Sequence, residues 1–221
     1  MSERILKRAI FTVFILMLAL TAGTVYALDT VIGSTGIYLN GEREAVRTQE
    51  TNLGNLMTDA MRAFSGADIA LWNGGGIRAS AKVGDITLEK AMEIFPFENG
   101  LVTLEVTGAE LIEILEHSVD AYPAVAGKFL QVSGLRFYFS PNRPAGQRVL
   151  NVYVGGEPLH INKTYVLATS DFLAAGGDAY EMFLDKELTY LGVTEQQVFI
   201  RHLMENSPVF PKVEGRIVVV W

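Results

Sequence analysis

The sequence predicts a single α+β domain in which a mixed β-sheet is flanked by helices. Helical and strand patterns follow one another irregularly along the 221 residues, and the middle third is rich in strands and tight turns. A doubly wound parallel sheet would instead need regular alternation of strands and helices. A mature chain of about 190 residues fits one domain with a substantial core. The chain contains no cysteine, so apolar packing has to stabilise it.

The first 27 residues have the order of a secretory signal peptide. Three basic residues lie within the first eight, an apolar run covers 9–20, and small residues precede Ala27. We therefore predict a signal peptide over 1–27, a mature domain over 28–221, and an extracytoplasmic location, periplasmic or secreted. The apolar run is shorter than the roughly 20 residues of a membrane span, so an uncleaved membrane anchor is the alternative.

Four helices are indicated by apolar residues at helical spacing and by the residues at their ends. The first begins at Thr51 or Asn52 and is ended by Gly66, and a short second helix runs from Thr87 to about Phe95, before a proline. The third and fourth each begin with a capping box, at 107–110 and at 194–197.

Strands are predicted where apolar residues alternate or run together between turn residues. The stretch 28–41 has strand character and leads into the first helix. The other predicted strands cover 67–72, 101–106, 131–139, 149–154, 164–170 and 217–220.

Three consecutive glycines follow the predicted strand over 67–72. Glycines at the end of a strand leave no side chain between the backbone and a ligand. The flanking residues, Asn73 and Arg78, offer an amide for a ring edge or hydroxyl and a fork of donors for phosphate or sugar oxygens. A glycine-rich turn without a ligand is the alternative for this run alone, which consists of Gly74, Gly75 and Gly76.

A second glycine-bearing segment leaves the predicted strand over 164–170. It contains an aromatic ring, Phe172, a glycine pair, Gly176 and Gly177, and a carboxylate, Asp178. A carboxylate can accept hydrogen bonds from both hydroxyls of a ribose, and a Phe ring offers a face for a base. Taken singly, such a Phe is more often a core residue and such an Asp more often a helix cap.

Together these motifs resemble the C-terminal domain of the 5'-nucleotidase family, a family of secreted and cell-surface phosphohydrolases. The resemblance covers essentially the whole mature chain and implies that fold. It rests on Arg47 with the segment 50–55, the Asn-Gly-Gly-Gly-Ile-Arg run over 73–78, Phe95-Pro96-Phe97, the segment 131–135 and the segment 172–178.

The resemblance implies that this domain recognises a nucleoside or 5'-nucleotide. Two aromatic faces would stack on any base, so we expect tolerance among nucleotides rather than strict choice of one. The implied roles are as follows: Phe97 and Phe172 sandwich the base, Asp178 accepts from the ribose hydroxyls, Arg47 and Arg78 reach the sugar and phosphate, and Asn73 contacts the base edge.

The chain departs from the family in its chemistry. In the family, an N-terminal metallophosphoesterase domain holds two metals, and here the predicted signal peptide runs almost directly into the nucleoside domain. The three histidines, His117, His160 and His202, share no metal-ligand spacing. We therefore expect no catalytic residue, no metal ligand and no cofactor in this chain, with divalent metals only in a partner catalytic domain. His117 is interpreted as structural, late in the third helix.

The charge balance limits the partners. Removing residues 1–27, which carry three basic and one acidic side chain, takes the formal net charge from −7 to −9, which argues against a nucleic-acid polymer as ligand. One hypothesis is half of a split hydrolase that associates with a separate metallophosphoesterase chain. The others are a stand-alone extracytoplasmic nucleoside- or nucleotide-binding protein, and a structural remnant or adhesion module whose ligand residues persist without use. No stable membrane span is expected after cleavage of the signal.

Overall fold

A computed structural model of the chain describes residues 27–221 and confirms the α+β class. The predicted signal peptide lies outside the described residues except for Ala27. Within the described part, no helix combines the length and the apolar character that a membrane crossing requires.

The domain contains helices, strands and short 3₁₀ turns. The helices are α1 (Asn52–Ser65), α2 (Leu88–Ile94), α3 (Gly108–Val119), α4 (Asp171–Ala174) and α5 (Glu195–Asn206). The strands are β1 (Val31–Thr35), β2 (Ile69–Asn73), β3 (Gly84–Thr87), β4 (Gly100–Thr107), β5 (Leu130–Ser133), β6 (Leu135–Phe139), β7 (Val149–Val154), β8 (Glu157–Pro158), β9 (Thr164–Ser170), β10 (Thr189–Thr194) and β11 (Ile217–Val219). The 3₁₀ turns are Ala45–Arg47, Gly74–Gly76, Gly177–Ala179 and Glu181–Phe183.

The strands form three sheets. The largest has five strands in the order β10-β4-β9-β2-β5, and only β2 and β9 are parallel in it. A four-stranded sheet, β11-β6-β7-β8, has β11 parallel to β6, and β1 pairs with β3. The predicted mixed sheet is therefore present as two mixed sheets and a small antiparallel pair.

Helix boundaries follow the capping signals in the sequence. The side chain of Thr51 accepts a hydrogen bond from the backbone N–H of Gly54, and Gly66 adopts a left-handed φ of 69° directly after α1. Both predicted capping boxes are formed, at the starts of α3 and α5. These local interactions place the helix ends where the sequence predicts them.

The predicted single strand over 131–139 is wrong, because the chain divides there into two strands. Gly134, with φ 76°, separates β5 in the five-stranded sheet from β6 in the four-stranded sheet. A Cβ atom at this glycine would also lie 2.1 Å from the carbonyl oxygen of Asp68. Both the left-handed φ and this close approach therefore favour glycine at the position. The strands β3 and β10 were not predicted; both pair with strands distant in sequence.

The five-stranded sheet lies between two apolar clusters, and β2 contributes to both. Ala70 and Trp72 belong to the cluster beneath α1, α2 and α5, whereas Ile69 and Leu71 belong to the cluster shared with α3 and the four-stranded sheet. Because both faces of β2 are buried, its sequence is continuously apolar rather than alternating. Packing on both faces fixes the end of β2, where the glycine run begins.

Candidate nucleotide site

A cavity of about 320 Å³ lies beyond the carboxyl ends of the parallel neighbours β2 and β9. Ligands commonly bind at this edge of a sheet, because the following loops converge there. All six side chains that the resemblance assigns to binding line it. The lining residues are Arg47, Asn73, Gly75, Gly76, Arg78, Phe97, Asn99, Gly127, Phe172 and Asp178.

The glycine run is packed tightly against its neighbours. A Cβ atom on Gly74 would lie 2.0 Å from the carbonyl oxygen of Val46, and one on Gly76 would lie 2.5 Å from Nε1 of Trp72. The backbone N–H of Gly75 donates to the carbonyl oxygen of Gly127 at 2.8 Å. The run therefore holds two neighbouring segments together, while Gly75 and Gly76 also face the cavity.

Two phenylalanine rings at the cavity remain partly in contact with solvent. Phe97 is 43% exposed and Phe172 41% exposed, although burial of such apolar surface is favourable. Phe97 lies in the loop after α2, with the Arg78 guanidinium carbon 5.7 Å from its ring centroid. Phe172 lies in α4 and packs on Gly177, where a Cβ atom would approach the ring to 2.6 Å. Both rings are thus positioned by neighbours yet keep a face free for a planar ligand.

Arg47 is a buried cation without full hydrogen bonding. The residue is 7% exposed, and its Nε atom has no partner among residues 27–221. Burial lowers the pKa of Arg47, the nearby Arg43 and Arg78 guanidinium groups lower it further, and the Asp178 carboxylate opposes them in part. A buried donor left unsatisfied costs about 1–3 kcal/mol. An anion bound between Arg47 and Arg78 would remove both the unsatisfied donor and the repulsion.

Asp178 is held in an unusual backbone conformation. Its φ of 52° and ψ of 26° are left-handed, which is uncommon for residues other than glycine. The Nδ2 atom of Asn73 donates to its Oδ2 atom at 2.7 Å, and Asn73 is itself buried. One of the two Nδ2 donors of Asn73 is thus engaged by Asp178, so the second donor and the amide oxygen are the groups that remain for a ligand.

His117 supports the turn that carries Asp178, a contact that sequence reasoning missed. Its Nε2 atom lies 2.9 Å from the carbonyl oxygen of Asp178, and since a carbonyl only accepts, Nε2 carries the proton. The ring packs edge-on against Tyr180 at 4.6 Å between centroids, and the Tyr180 hydroxyl donates to the carbonyl oxygen of Lys128 at 2.6 Å. The interpretation of His117 as a helix-end residue omits this role, because its partner is 61 residues away.

Two further cavity residues, Asn99 and Gly127, were also missed. Asn99 follows Phe97 by two positions, and its Nδ2 atom donates to Oε1 of Glu195 at 3.3 Å. Gly127 lies in the loop before β5, where a Cβ atom would be 3.6 Å from Oδ2 of Asp178. Adjacency to the Phe95-Pro96-Phe97 motif was the one signal available for Asn99. Within residues 27–221, the structure contains no group of three or more His, Asp or Glu side chains arranged to hold a metal ion.

Comparison with known proteins identifies the domain. Residues 30–185 match the protein family described as "5'-nucleotidase, C-terminal domain". The chain is 41% identical over 197 residues to the trifunctional nucleotide phosphoesterase protein YfkN of Bacillus subtilis, covering 84% of this chain and 14% of that protein. It is 36% identical over 212 residues to a 5'-nucleotidase of Diplobatis ommata, covering 86% and 37%.

A solved structure agrees with these sequence matches. The 5'-nucleotidase precursor of Thermus thermophilus superimposes with a TM-score of 0.83 at 38% identity, over 99% of this chain and 44% of that one. The chain thus spans less than half the length of each of these three relatives. The matched family, the sequence identity and the shared fold establish that this chain belongs to the 5'-nucleotidase family and corresponds to its C-terminal domain.

Proposed function

We propose that the domain binds the nucleoside part of a 5'-nucleotide in the cavity beyond β2 and β9. The observation that carries the proposal is the combination in one cavity of two half-exposed phenylalanine rings and a buried, incompletely paired arginine. A cavity of about 320 Å³ is at the small end of the range for small-molecule sites. Half-exposed rings alone would suit any flat apolar ligand. The incompletely paired Arg47 guanidinium group adds that the ligand should also carry a negative charge.

The positions of the polar groups favour one orientation of the nucleotide. Stacking between Phe97 and Phe172 places the base at the exposed side of the cavity. Such stacking contributes roughly 1–3 kcal/mol of binding free energy per base. Asp178, fixed by Asn73, is the acceptor for the ribose hydroxyls. Arg47 and Arg78, whose charges repel one another, receive the phosphate.

We propose that hydrolysis requires a separate metallophosphoesterase domain or chain that supplies the divalent metals. Support comes from the relatives, which are nucleotide phosphoesterases or 5'-nucleotidases in name and in which the matched part is a minor share of the length. The domain would then contribute to extracytoplasmic nucleotide breakdown by presenting the nucleotide. The signal-like composition of residues 1–27 supports export.

Calorimetric titration with AMP, adenosine and ribose 5-phosphate tests the binding proposal. We expect AMP to bind best, because it combines base, ribose and phosphate, with a Kd in the micromolar to millimolar range, about −8 to −4 kcal/mol. Phosphate release is measured in the same samples with and without Mn²⁺. Binding without release is the expected result. No binding of AMP would contradict the recognition role, and metal-dependent release by the pure chain would contradict the need for a partner.

A further inference from the structure

The first turn of α5 holds the loop that carries Phe97 and Asn99. The backbone N–H of Glu195 donates to the carbonyl oxygen of Asn99 at 3.0 Å, and the Nδ2 atom of Asn99 donates to Oε1 of Glu195 at 3.3 Å. The Nε2 atom of Gln196 donates to the carbonyl oxygen of Phe95 at 2.8 Å. These three hydrogen bonds join α5 to both ends of the segment 95–99, which forms one wall of the cavity.

Glu195 is a buried carboxyl group that uses only one of its oxygens. It is 1% exposed, and its Oε2 atom has no partner among the residues of the described domain. An ionised carboxylate in such a place is costly, because its lost hydration is not replaced. Burial raises the pKa of Glu195 to about 8, and the nearby Asp171 carboxylate also raises it. The hydrogen bonds from the backbone and from Asn99 lower the pKa, but their effect is smaller than that of burial.

The charge that acts on Glu195 comes from α4, and α2, which packs on α5, carries charged residues of its own. Asp171, the first residue of α4, is the charged group whose field acts on Glu195. In α2, Lys90 forms an ion pair with Glu93, and Glu89 is exposed. The strand β10, which leads into α5, contains no charged residue.

We propose that Glu195 is a positioning residue for the base: its neutral carboxyl group holds Asn99 and Phe97 in their binding positions, and ionisation of that group displaces them. This inference rests on the proposed function, since it adds a proton-linked control to the same cavity. The carboxyl oxygen accepts from Asn99 in either form, and this hydrogen bond favours the ionised form, but it does not replace the hydration that a buried carboxylate loses. The carboxylate regains hydration only if the first turn of α5 separates from the segment 95–99, and that separation moves the Phe97 ring away from the base.

Glu195→Gln is the informative variant. The glutamine keeps an oxygen that accepts from Asn99, fills the same volume and cannot ionise, so it preserves the positioning contact and removes the titration. Glu98→Gln is the matched control, because it removes one exposed carboxylate from the same loop and leaves Glu195 unchanged.

A first measurement needs no nucleotide. The side-chain carbonyl carbon signal of Asn99 and the ring carbon signals of Phe97, which do not depend on exchangeable protons, are followed by NMR between about pH 6.5 and about pH 9.5, on either side of the expected midpoint. We expect both sets of signals to titrate with a midpoint near pH 8 in the wild type and in Glu98→Gln, and to stay constant in Glu195→Gln. Constant signals in the wild type would overturn the proposal.

A second measurement compares the Kd for AMP of the wild type and Glu195→Gln at the same two pH values. The AMP phosphate loses its second proton near pH 6, which affects both proteins alike and cancels in the ratio. We expect the wild type to weaken about tenfold or more relative to Glu195→Gln at the higher pH, and ribose 5-phosphate, which has no base, to show no such difference. A pH-independent ratio for AMP would overturn the proposal. Titrating Asn99 signals with no AMP binding at either pH would instead contradict the proposed function, while the proton-linked loop contact would stand.

Discussion

Replacing Arg47 by methionine is expected to stabilise the domain while it weakens nucleotide binding. Methionine has a similar length and no charge, so it fills the buried position without the unsatisfied Nε donor. It also removes the repulsion that Arg47 experiences from Arg43 and Arg78, and it gives up the weaker attraction of the Asp178 carboxylate. A residue that costs stability in the free protein and contributes to binding is the expected pattern for a ligand-binding cation.

The magnitudes follow from the surroundings of the guanidinium group. Relief of one unsatisfied buried donor is worth about 1–3 kcal/mol. At about 2–4 °C per kcal/mol for a domain of this size, Tm should rise by about 2–12 °C. Loss of a charge-assisted hydrogen bond to the phosphate costs about 1.5–3 kcal/mol, so the Kd for AMP should rise by about 10- to 150-fold.

Thermal unfolding and calorimetric titration measure the two effects in one protein. Adenosine serves as the ligand without a phosphate, and its Kd should change much less than that of AMP. The control is Arg43→Met, which removes an exposed guanidinium group from the same neighbourhood. We expect that variant to change Tm by little and to keep the preference for AMP over adenosine.

A lower Tm for Arg47→Met together with an unchanged AMP-to-adenosine ratio would refute the reasoning. That result would mean that Arg47 stabilises the fold and does not contact the phosphate. A higher Tm with an unchanged ratio would support the energetic account of the buried donor and refute the assignment to the phosphate.

Further substitutions test other parts of the structure. Phe172→Ala should weaken adenosine binding by about 1–3 kcal/mol in titration and, since the ring is 41% exposed, leave Tm nearly unchanged; unaltered binding would exclude stacking on this ring. Gly177→Ala places a Cβ atom 2.5 Å from the carbonyl oxygen and 2.6 Å from the ring of Phe172, so it should displace both and approach the binding loss of Phe172→Ala. Gly155→Ala, whose Cβ would meet nothing within 4 Å, should lose some stability because its φ of 61° is left-handed, and it should bind normally. The pKa of the Glu195 carboxyl is raised from 4.5 to about 8 in the folded protein. Between these two pH values the folded state therefore holds a proton that the unfolded state has lost. The contribution of Glu195 to stability is complete below pH 4.5 and falls as the pH rises to about 8. In urea unfolding, Glu195→Gln should therefore flatten the pH profile in that window and gain up to about 4 kcal/mol near pH 7.5; an unchanged pH profile would show that this carboxyl is not buried in its neutral form.

The parts of the fold that the sequence predicts well are those with local causes. The start of α1 at Asn52, its end before Gly66 and both capping boxes each depend on groups within a few residues of one another. The division at Gly134 was missed because apolar residues recur at every second position in both β5 and β6. A change of sheet between them depends on pairing with strands that are distant in sequence, β2 for β5 and β11 for β6.

The candidate site shows the same distinction between residue chemistry and placement. The sequence by itself determined the residue types of the candidate nucleotide site and the motifs that carry the family resemblance, because glycine runs, aromatic rings and charges can be read from the sequence alone. Only the tertiary structure decided that Asn73 is engaged by Asp178, 105 residues away, that His117 supports the left-handed turn, and that a buried carboxyl at the start of α5 holds Asn99. These contacts join segments that are distant in sequence, and they form only when the packed sheet brings the ends of its strands and helices to one edge.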